Sequence, residues 1–278
     1  MIGAIIGDIV GSRYEFDNIK TKDFPFFHAI CRFTDDSVMT IAVATALLQC
    51  DGDYSDLSNI VVKTMQTIGR DYPYCGYGGY FRRWVTMKDP KPYNSFGNGA
   101  PMRVSACGIV GRSIEETILL ARKVTEVTHN HPEGMKAAEA VALAVFLART
   151  GKSKKEIHDA LNRPYYHLDF TLDEIRDSYG FDESSQGTTP QALTAFFEST
   201  DFEDAVRNAV SIGGDSDTVA AITGSIAAAY YGVPSRMIEK AYWYMDRNLG
   251  GFMSLFEQKH PFKRTDAETL KEIPIYAK

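Results

Sequence analysis

The sequence lacks three features that would each define a class of protein: paired cysteines, long apolar runs and an excess of basic residues. Its cysteines show neither a C-x-x-C pair nor the Cys/His spacing of a zinc site. We therefore expect four reduced, buried thiols, at Cys31, Cys50, Cys75 and Cys107. No stretch approaches the roughly 20 apolar residues of a membrane span, and residues 1–10 lack the basic segment of a secretion signal. A cytoplasmic protein that makes no contact with a membrane is expected.

The charge balance and the uniform composition narrow the class further. The formal net charge is −6 over 278 residues, whereas proteins that grip a nucleic-acid backbone without sequence preference usually show clustered Lys and Arg. A hydrophobic content of 44% is enough for a large core. Neither an internal repeat of about 20 to 50 residues nor a low-complexity linker divides the chain. We expect a single domain over residues 1–278, and a monomer.

Convincing strands are also missing, because no segment alternates apolar and polar residues over the length of a strand. Helical periodicity instead recurs in eight segments separated by Gly or Pro: 38–48, 57–68, 114–127, 133–149, 190–198, 202–211, 218–231 and 235–247. Gly3, Gly7 and Gly11 recur every four residues along an apolar N-terminal helix, which predicts close packing against another helix. The fold class is predicted to be all-α. The polar stretch 152–186 is expected to be a solvated surface segment, with an insertion or a lid as the alternative.

Two acidic strings stand near opposite ends of the chain, and each leads into an apolar helical segment. They are Thr34-Asp35-Asp36-Ser37 and Asp215-Ser216-Asp217-Thr218. Asp, Ser and Thr are also the preferred helix N-caps, but a cap needs one acceptor and each string has two acids and two hydroxyls. If the fold brings the strings together, four carboxylates share a small volume and stay ionised only beside bound cations. Ligands that are all oxygen favour Mg²⁺, Mn²⁺ or Ca²⁺ over zinc and copper.

Two glycine-rich loops, 74–80 and 95–103, are candidate ligand-binding segments. Glycines ahead of a helix let backbone N–H groups converge on an anion, and Phe96 can stack on a base or a ribose. Plain turns use the same residue types, so both interpretations stay open. His129 is a candidate substrate contact rather than a metal ligand, because no third soft ligand lies near it. Glu15, taken alone, resembles any exposed acid.

Five motifs follow one another along the chain: Gly3-Ala4-Ile5-Ile6-Gly7-Asp8 with Gly11 and Glu15, Phe33-Thr34-Asp35-Asp36, Gly97-Asn98-Gly99-Ala100-Pro101-Met102-Arg103, Thr128-His129, and Gly213-Gly214-Asp215-Ser216-Asp217-Thr218. In this order they resemble the motifs of the ADP-ribosylglycohydrolase family, which includes dinitrogenase reductase-activating glycohydrolase and the eukaryotic ADP-ribosylhydrolases. Five ordered motifs over nearly the whole chain make the likeness specific.

The resemblance implies a compact, orthogonally packed multi-helix bundle that holds two divalent cations, Mg²⁺ or alternatively Mn²⁺. The metal ligands that it implies are Thr34, Asp35, Asp36, Asp215, Asp217 and Thr218. The substrate contacts that we expect are Phe96, Gly97, Asn98, Gly99, Met102 and His129. Catalytic roles are expected for Glu15, Asp35 and Asp36.

The implied activity is hydrolysis of the glycosidic bond at C1″ of an ADP-ribosyl group, with release of ADP-ribose from a modified protein side chain or a related conjugate. Ordinary glycosidases use two free carboxylates. Here the carboxylates would hold cations that orient the distal ribose and activate a water, with Asp36 or Glu15 accepting its proton. An inactive ADP-ribose-binding protein and a two-metal phosphohydrolase acting on the diphosphate are the alternatives. The group attached to C1″ of the ADP-ribose can be arginine, serine, an acetyl ester or a nucleic acid. Nucleic acid is expected as a partner only when it is such a modified substrate.

Overall fold

The computed structural model describes residues 1–266, and these residues fold into helices without a β-sheet. The helices are α1 (Ile2–Gly11), α2 (Asp35–Cys50), α3 (Leu57–Asp71), α4 (Gly79–Trp84), α5 (Ser105–Val110), α6 (Ile114–Thr125), α7 (Pro132–Arg149), α8 (Lys154–Leu161), α9 (Leu172–Ile175), α10 (Ser185–Phe197), α11 (Phe202–Ser211), α12 (Ser216–Tyr231), α13 (Ser235–Tyr244) and α14 (Arg247–Lys259). The all-α prediction is confirmed. The single-domain prediction includes residues 267–278, which lie outside the described residues, and it stays a prediction.

Each of the eight predicted segments coincides largely with a helix, several boundaries differ by a few residues, and two of the differences follow from side-chain caps. Helix α10 begins five residues before Pro190, because Ser184 caps it by accepting a hydrogen bond from the N–H of Gly187 at 3.1 Å. The predicted segment 235–247 ends early at Tyr244, and Asp246 then caps a new helix, α14, that was not predicted. In both places a side-chain cap, and not the apolar pattern, sets the start of the helix.

The polar stretch 152–186 contains two short helices that begin with the same device. In α8, Ser153 accepts from the N–H of Glu156 while the Glu156 carboxylate accepts from the N–H of Ser153. Thr171 and Glu174 form the same reciprocal pair at the start of α9. These capping boxes satisfy backbone donors that an exposed short helix would otherwise leave to water.

Helix α1 lies directly on α12, and its glycines make this contact possible. A Cβ at Gly3 or Gly7 would stand 2.0 Å from the carbonyl oxygen of Gly224 or Ala220, respectively. A Cβ at Gly11 would stand 2.4 Å from the carbonyl oxygen of Ser216. The partners run backwards along α12 as the glycines run forwards along α1, so the two helices are antiparallel. The end of α1 therefore lies beside the start of α12. The close helix contact predicted from the glycine spacing is present, and the partner helix is α12.

The helices at the centre of the molecule are buried over most of their length. All ten residues of α1 are buried, and α2, α7 and α12 each expose only a few positions. None of the helices in residues 1–266 is both long and apolar enough to cross a membrane.

Candidate active site

A buried carboxylate from α1 holds the first acidic string in place. Asp8 is fully buried and accepts hydrogen bonds from the backbone N–H groups of Thr34 and Ser37 at 2.9 and 3.1 Å. The hydroxyls of both residues donate to the same carboxylate, that of Thr34 at 2.7 Å. Thr34 Oγ1 also accepts from the N–H of Asp36 and so caps α2. Asp8 thereby fixes the start of α2 against α1, while Asp35 and Asp36 face a cavity.

The second acidic string follows a turn whose backbone favours glycine. Gly213 and Gly214 have φ angles of +71° and +77°. Asn18 binds this turn: its Oδ1 accepts from the N–H of Gly214 at 2.8 Å, and its Nδ2 donates to the Gly214 carbonyl at 2.9 Å. The same Nδ2 donates to the carbonyl of Tyr14 at 2.6 Å. Asn18 therefore ties the loop after α1, which carries Glu15, to the turn that starts α12.

The two acidic strings meet at one cavity. Thr218 Oγ1 donates to Asp36 Oδ2 at 3.1 Å, a contact between residues that are 182 positions apart. Asn98 Nδ2 donates to Asp215 Oδ2 at 2.7 Å from a third part of the chain. The cavity has a volume of about 660 Å³, and both strings line it through Asp35, Asp36, Asp215, Asp217 and Thr218. The meeting of the two strings that the metal hypothesis required is present.

The carboxylates of the cavity form a set that suits a hard cation. Glu15, Asp215 and Asp217 each place a carboxylate oxygen within 4.8 Å of the others. Asp36 Oδ1 is buried and has no hydrogen-bond partner among the described residues. A buried carboxylate oxygen without a partner is costly unless a cation meets it, and an oxygen-only set fits a divalent cation of the Mg²⁺ type. Glu15, predicted as a catalytic residue, therefore lies beside two of the predicted metal ligands, Asp215 and Asp217.

Burial and mutual repulsion weaken the acidity of the whole cluster. Burial, followed by the negative charges of Asp8 and Asp215, raises the pKa of Asp35 to about 8. Burial, with Asp215 next in effect, raises the pKa of Glu15 to about 7. Burial, followed by the negative charges of neighbouring carboxylates, raises the pKa of Asp36 and of Asp217 well above the ordinary carboxyl value. Without cations, these carboxyl groups therefore bind protons more tightly in the folded protein than in the unfolded chain.

The thermal stability of the protein in a chelator is expected to fall as the pH rises from about 5 to about 8. Burial raises the pKa of Asp8 to about 6, and Glu15 and Asp35 lie at about 7 and about 8. A raised carboxyl pKa stabilises the folded state below the unfolded pKa, near pH 4, and this stability is lost as the pH passes the folded values. Scanning calorimetry should show a decrease in Tm of roughly 5 °C or more.

Excess Mg²⁺ is the control for this pH dependence, because a bound cation favours the ionised carboxylates that proton loss produces. The decrease in Tm should become smaller when Mg²⁺ replaces the chelator. A Tm that rises with pH in the chelator would contradict the buried acidic cluster.

The predicted substrate contacts lie on the wall of the same cavity. All six line it, namely Phe96, Gly97, Asn98, Gly99, Met102 and His129. The Gly97 carbonyl accepts from Ser185 Oγ at 2.8 Å, which attaches the loop to the start of α10. Gly99 lies against the imidazole of His129, since a Cβ there would stand 3.1 Å from Nε2. Phe96 is 49% exposed. The contacts of these residues with a ligand stay predictions.

The loop 74–80 packs against the start of α2. The N–H of Asp35 donates to the carbonyl of Cys75 at 2.9 Å. Gly76 has a φ of +124°, and a Cβ there would stand 2.6 Å from Asp35 Oδ1. All four cysteines are free, but the prediction that all are buried is wrong for Cys75, which is half-buried because this loop lies near the surface.

The end of the polar stretch 152–186 forms another wall of the cavity. Phe181, Asp182, Glu183 and Ser184 line it, and the carbonyl of Glu183 accepts from the N–H of Asn98 at 2.8 Å. The prediction of a merely solvated segment is therefore wrong at this end. Polarity alone does not separate the wall of a polar cavity from exposed surface, so this part of the site could not be predicted from the residue types.

Several supporting residues were not predicted as part of the site. Thr34 was predicted as a metal ligand; its hydroxyl donates to Asp8 at 2.7 Å, and its contact with a cation stays a prediction. Asp8 and Arg103 stand in apolar surroundings, and this contrast is a sequence signal that should have marked both as buried partners of other polar groups. Asn18 carries no such signal, because Asn is common in loops.

The fold and the site define an all-helical protein with an acidic pocket large enough for a small-molecule ligand. The sequence profile of the ADP-ribosylglycohydrolase family matches residues 1–258, and the chain belongs to that family. The family and the class of enzyme that the resemblance implied are thereby confirmed.

Relatives with named activities span most of the chain. ADP-ribosylarginine hydrolase Tri1 of Pseudomonas putida (strain GB-1) is 28% identical, over 87% of this chain and 73% of its own. ADP-ribosylhydrolase ARH3 of Homo sapiens is 25% identical over 84% of each chain. ADP-ribosyl-(dinitrogen reductase) glycohydrolase of Rhodospirillum rubrum is 27% identical over 89% of this chain and 90% of its own. A solved ADP-ribosylglycohydrolase-related protein complex superposes with a TM-score of 0.67 at 23% identity, over 92% of this chain and 96% of that one, and shows the shared fold.

Proposed function

We propose that this protein is a cation-dependent hydrolase that cleaves the glycosidic bond at C1″ of an ADP-ribosyl group and releases ADP-ribose. The observation that carries the proposal is the convergence of both acidic strings on one cavity, where Thr218 contacts Asp36 at 3.1 Å. The cavity volume of about 660 Å³ is in the range of pockets for nucleotide-sized ligands.

Two divalent cations, Mg²⁺ or alternatively Mn²⁺, would be held by Thr34, Asp35, Asp36, Asp215, Asp217 and Thr218. Thr34 and Thr218 each donate their hydroxyl hydrogen to an aspartate, which leaves an oxygen lone pair for a cation. The cluster of Glu15 with Asp215 and Asp217 supports Glu15 as a further ligand or as a neighbour of the cations. When bound, the cations supply positive charge that offsets the carboxylates and polarises ligand hydroxyls and water.

The residues of the chain supply orientation and proton transfer. Glu15 is half-buried at the cavity, and burial raises the pKa of its carboxyl to about 7, which suits proton exchange near neutral pH. Asp36 Oδ1, which has no hydrogen-bond partner in the described chain, is the other candidate proton acceptor, and Asp35 lies beside it. The loop at Gly97 and Gly99 would meet the diphosphate.

The charge of the cavity favours a cationic leaving group. Its lining includes one guanidinium, that of Arg103, and seven carboxylates, those of Glu15, Asp35, Asp36, Asp182, Glu183, Asp215 and Asp217. Two divalent cations would offset only part of this negative charge. We therefore place an arginine-linked ADP-ribosyl protein ahead of serine-linked protein, acetyl ester or modified nucleic acid.

The test is a release assay with arginine-linked and serine-linked ADP-ribosyl peptides in Mg²⁺, analysed by mass spectrometry. Release of intact ADP-ribose, faster from the arginine-linked peptide, is expected. AMP as the product would replace this proposal by a phosphohydrolase. ADP-ribose binding in calorimetry without any release would replace it by an inactive binding protein.

A further inference from the structure

A buried chain of three polar side chains ends at the cavity. Arg103 is 1% exposed, Thr128 is fully buried and His129 is 5% exposed. Arg103 Nη2 donates to Thr128 Oγ1 at 2.6 Å, and Thr128 Oγ1 lies 2.7 Å from His129 Nδ1. Among residues 1–266, no carboxylate is hydrogen-bonded to any of these three side chains, so the described contacts of Arg103 do not form an ion pair.

The count of donors and acceptors determines the direction of each bond. A guanidinium has only donors, so Thr128 Oγ1 must accept from Arg103. The single hydroxyl hydrogen then has two candidate acceptors, His129 Nδ1 at 2.7 Å and the carbonyl of Thr125 at 3.5 Å. The Thr125 carbonyl already accepts from the N–H groups of Thr128 and His129 at 3.1 and 2.9 Å. Because the contact with Nδ1 is 0.8 Å shorter, we assign the hydrogen to it, and Nδ1 is then unprotonated.

The other ring nitrogen then carries the proton. Burial, together with the positive charge of Arg103, lowers the pKa of His129 well below its ordinary value, so the ring is neutral. Nε2–H has no hydrogen-bond partner among residues 1–266, and His129 lines the cavity beside the glycine loop. A Cβ at Gly99 or at Gly97 would stand 3.1 or 3.6 Å from Nε2, so the nitrogen lies against this loop.

We propose that Arg103 and Thr128 are positioning residues that hold His129 as the neutral Nε2–H tautomer, so that Nε2 donates a hydrogen bond to a phosphate oxygen of the ligand. Phosphate oxygens only accept, and the wrong tautomer would present a lone pair to them. The ligand half of this inference rests on the proposed function. The tautomer half is a property of the protein alone.

The tautomer is measured by ¹⁵N NMR of the imidazole nitrogens in the full-length protein without ligand. The signals of His129 are identified by their loss in His129→Gln. We expect Nδ1 in the unprotonated range and Nε2 in the protonated range. A protonated Nδ1 in the wild-type protein overturns the inference, whatever the fate of any variant.

Thr128→Val should abolish the ¹⁵N signal of an unprotonated Nδ1. It should also raise the KM for the ADP-ribosyl peptide about tenfold, with a smaller change in kcat. Thr128→Ser should keep both the Nδ1 signal and the wild-type KM. Thr125→Val is the matched control, because Thr125, three residues earlier at the end of α6, has a buried Oγ1 with no hydrogen-bond partner in the described chain. It should leave the tautomer and KM unchanged. An unchanged KM in folded Thr128→Val overturns the inference, whereas absence of ADP-ribose release by the wild type overturns the proposed function alone.

Discussion

Asp36→Asn and Asp217→Asn are each expected to lower the rate of ADP-ribose release roughly 10³-fold or more. Each substitution removes a buried carboxylate from the proposed cation site, where Asp36 Oδ1 has no hydrogen-bond partner among the described residues. Each should also abolish the rise in Tm that Mg²⁺ produces. In a chelator, the same variants should melt at higher temperature than the wild type near pH 8, because one of several repelling acids is gone.

The matched control is Asp89→Asn, which makes the same chemical change on the surface. The Asp89 side chain is 78% exposed and pairs with Lys91 at 3.0 Å, a contact of little energetic weight. Its activity and its response to Mg²⁺ should equal those of the wild type. A folded Asp36→Asn that keeps full activity and the full Mg²⁺ response would remove the basis for a cation site at this carboxylate.

Gly7→Ala is expected to destabilise the folded state by about 4 kcal/mol or more, enough to prevent folding at ordinary temperature. The added methyl group would stand 2.0 Å from the Ala220 carbonyl oxygen and 2.4 Å from its carbon, both in the backbone of α12. Neither helix can yield locally, because both are buried along their length. Soluble yield, far-UV circular dichroism and urea denaturation measure the loss.

Gly251→Ala is the control for the loss of a glycine from a helix. Gly251 lies inside α14, and no atom of residues 1–266, apart from its immediate surroundings in the helix backbone, stands within 4 Å of the position that its Cβ would occupy. The substitution should stabilise the protein by roughly 0.5 to 1 kcal/mol, because Ala loses less backbone entropy on folding. A Gly7→Ala variant as stable as the wild type would mean that α1 does not contact α12 as described.

Features of the site could be predicted from the sequence where several residues of one type recur close together, as the glycines of α1 and the acids of the two strings do. The spacing of Gly3, Gly7 and Gly11 predicted a close helix contact, and the structure places all three against α12. The concentration of acids in each string indicated a shared cation site if the fold brings the strings together, and Asp36 and Thr218 are in contact. In each case the local pattern allows few alternatives.

Single residues that act through tertiary contacts were not predictable in the same way. Asp8 is one acid in an apolar helix, yet it accepts four hydrogen bonds from Thr34 and Ser37 at the start of α2. Asn18 is one amide in a loop, and its partner Gly214 is 196 residues away. The missed helix α14 starts from one cap, Asp246, and contains Gly250 and Gly251, which weaken the helical signal. Such contacts become visible only when the chain is folded.

Anomalous diffraction from crystals loaded with Mn²⁺ shows whether the two acidic strings hold cations. We expect two peaks at the cavity, each bonded to carboxylate oxygens from the first turns of α2 and α12, including Asp36 and Asp217. Crystals of Asp36→Asn should lose at least one of these peaks. Wild-type crystals with no peak at the cavity, or with Mn²⁺ bound only elsewhere, would mean that the acidic strings do not form a cation site.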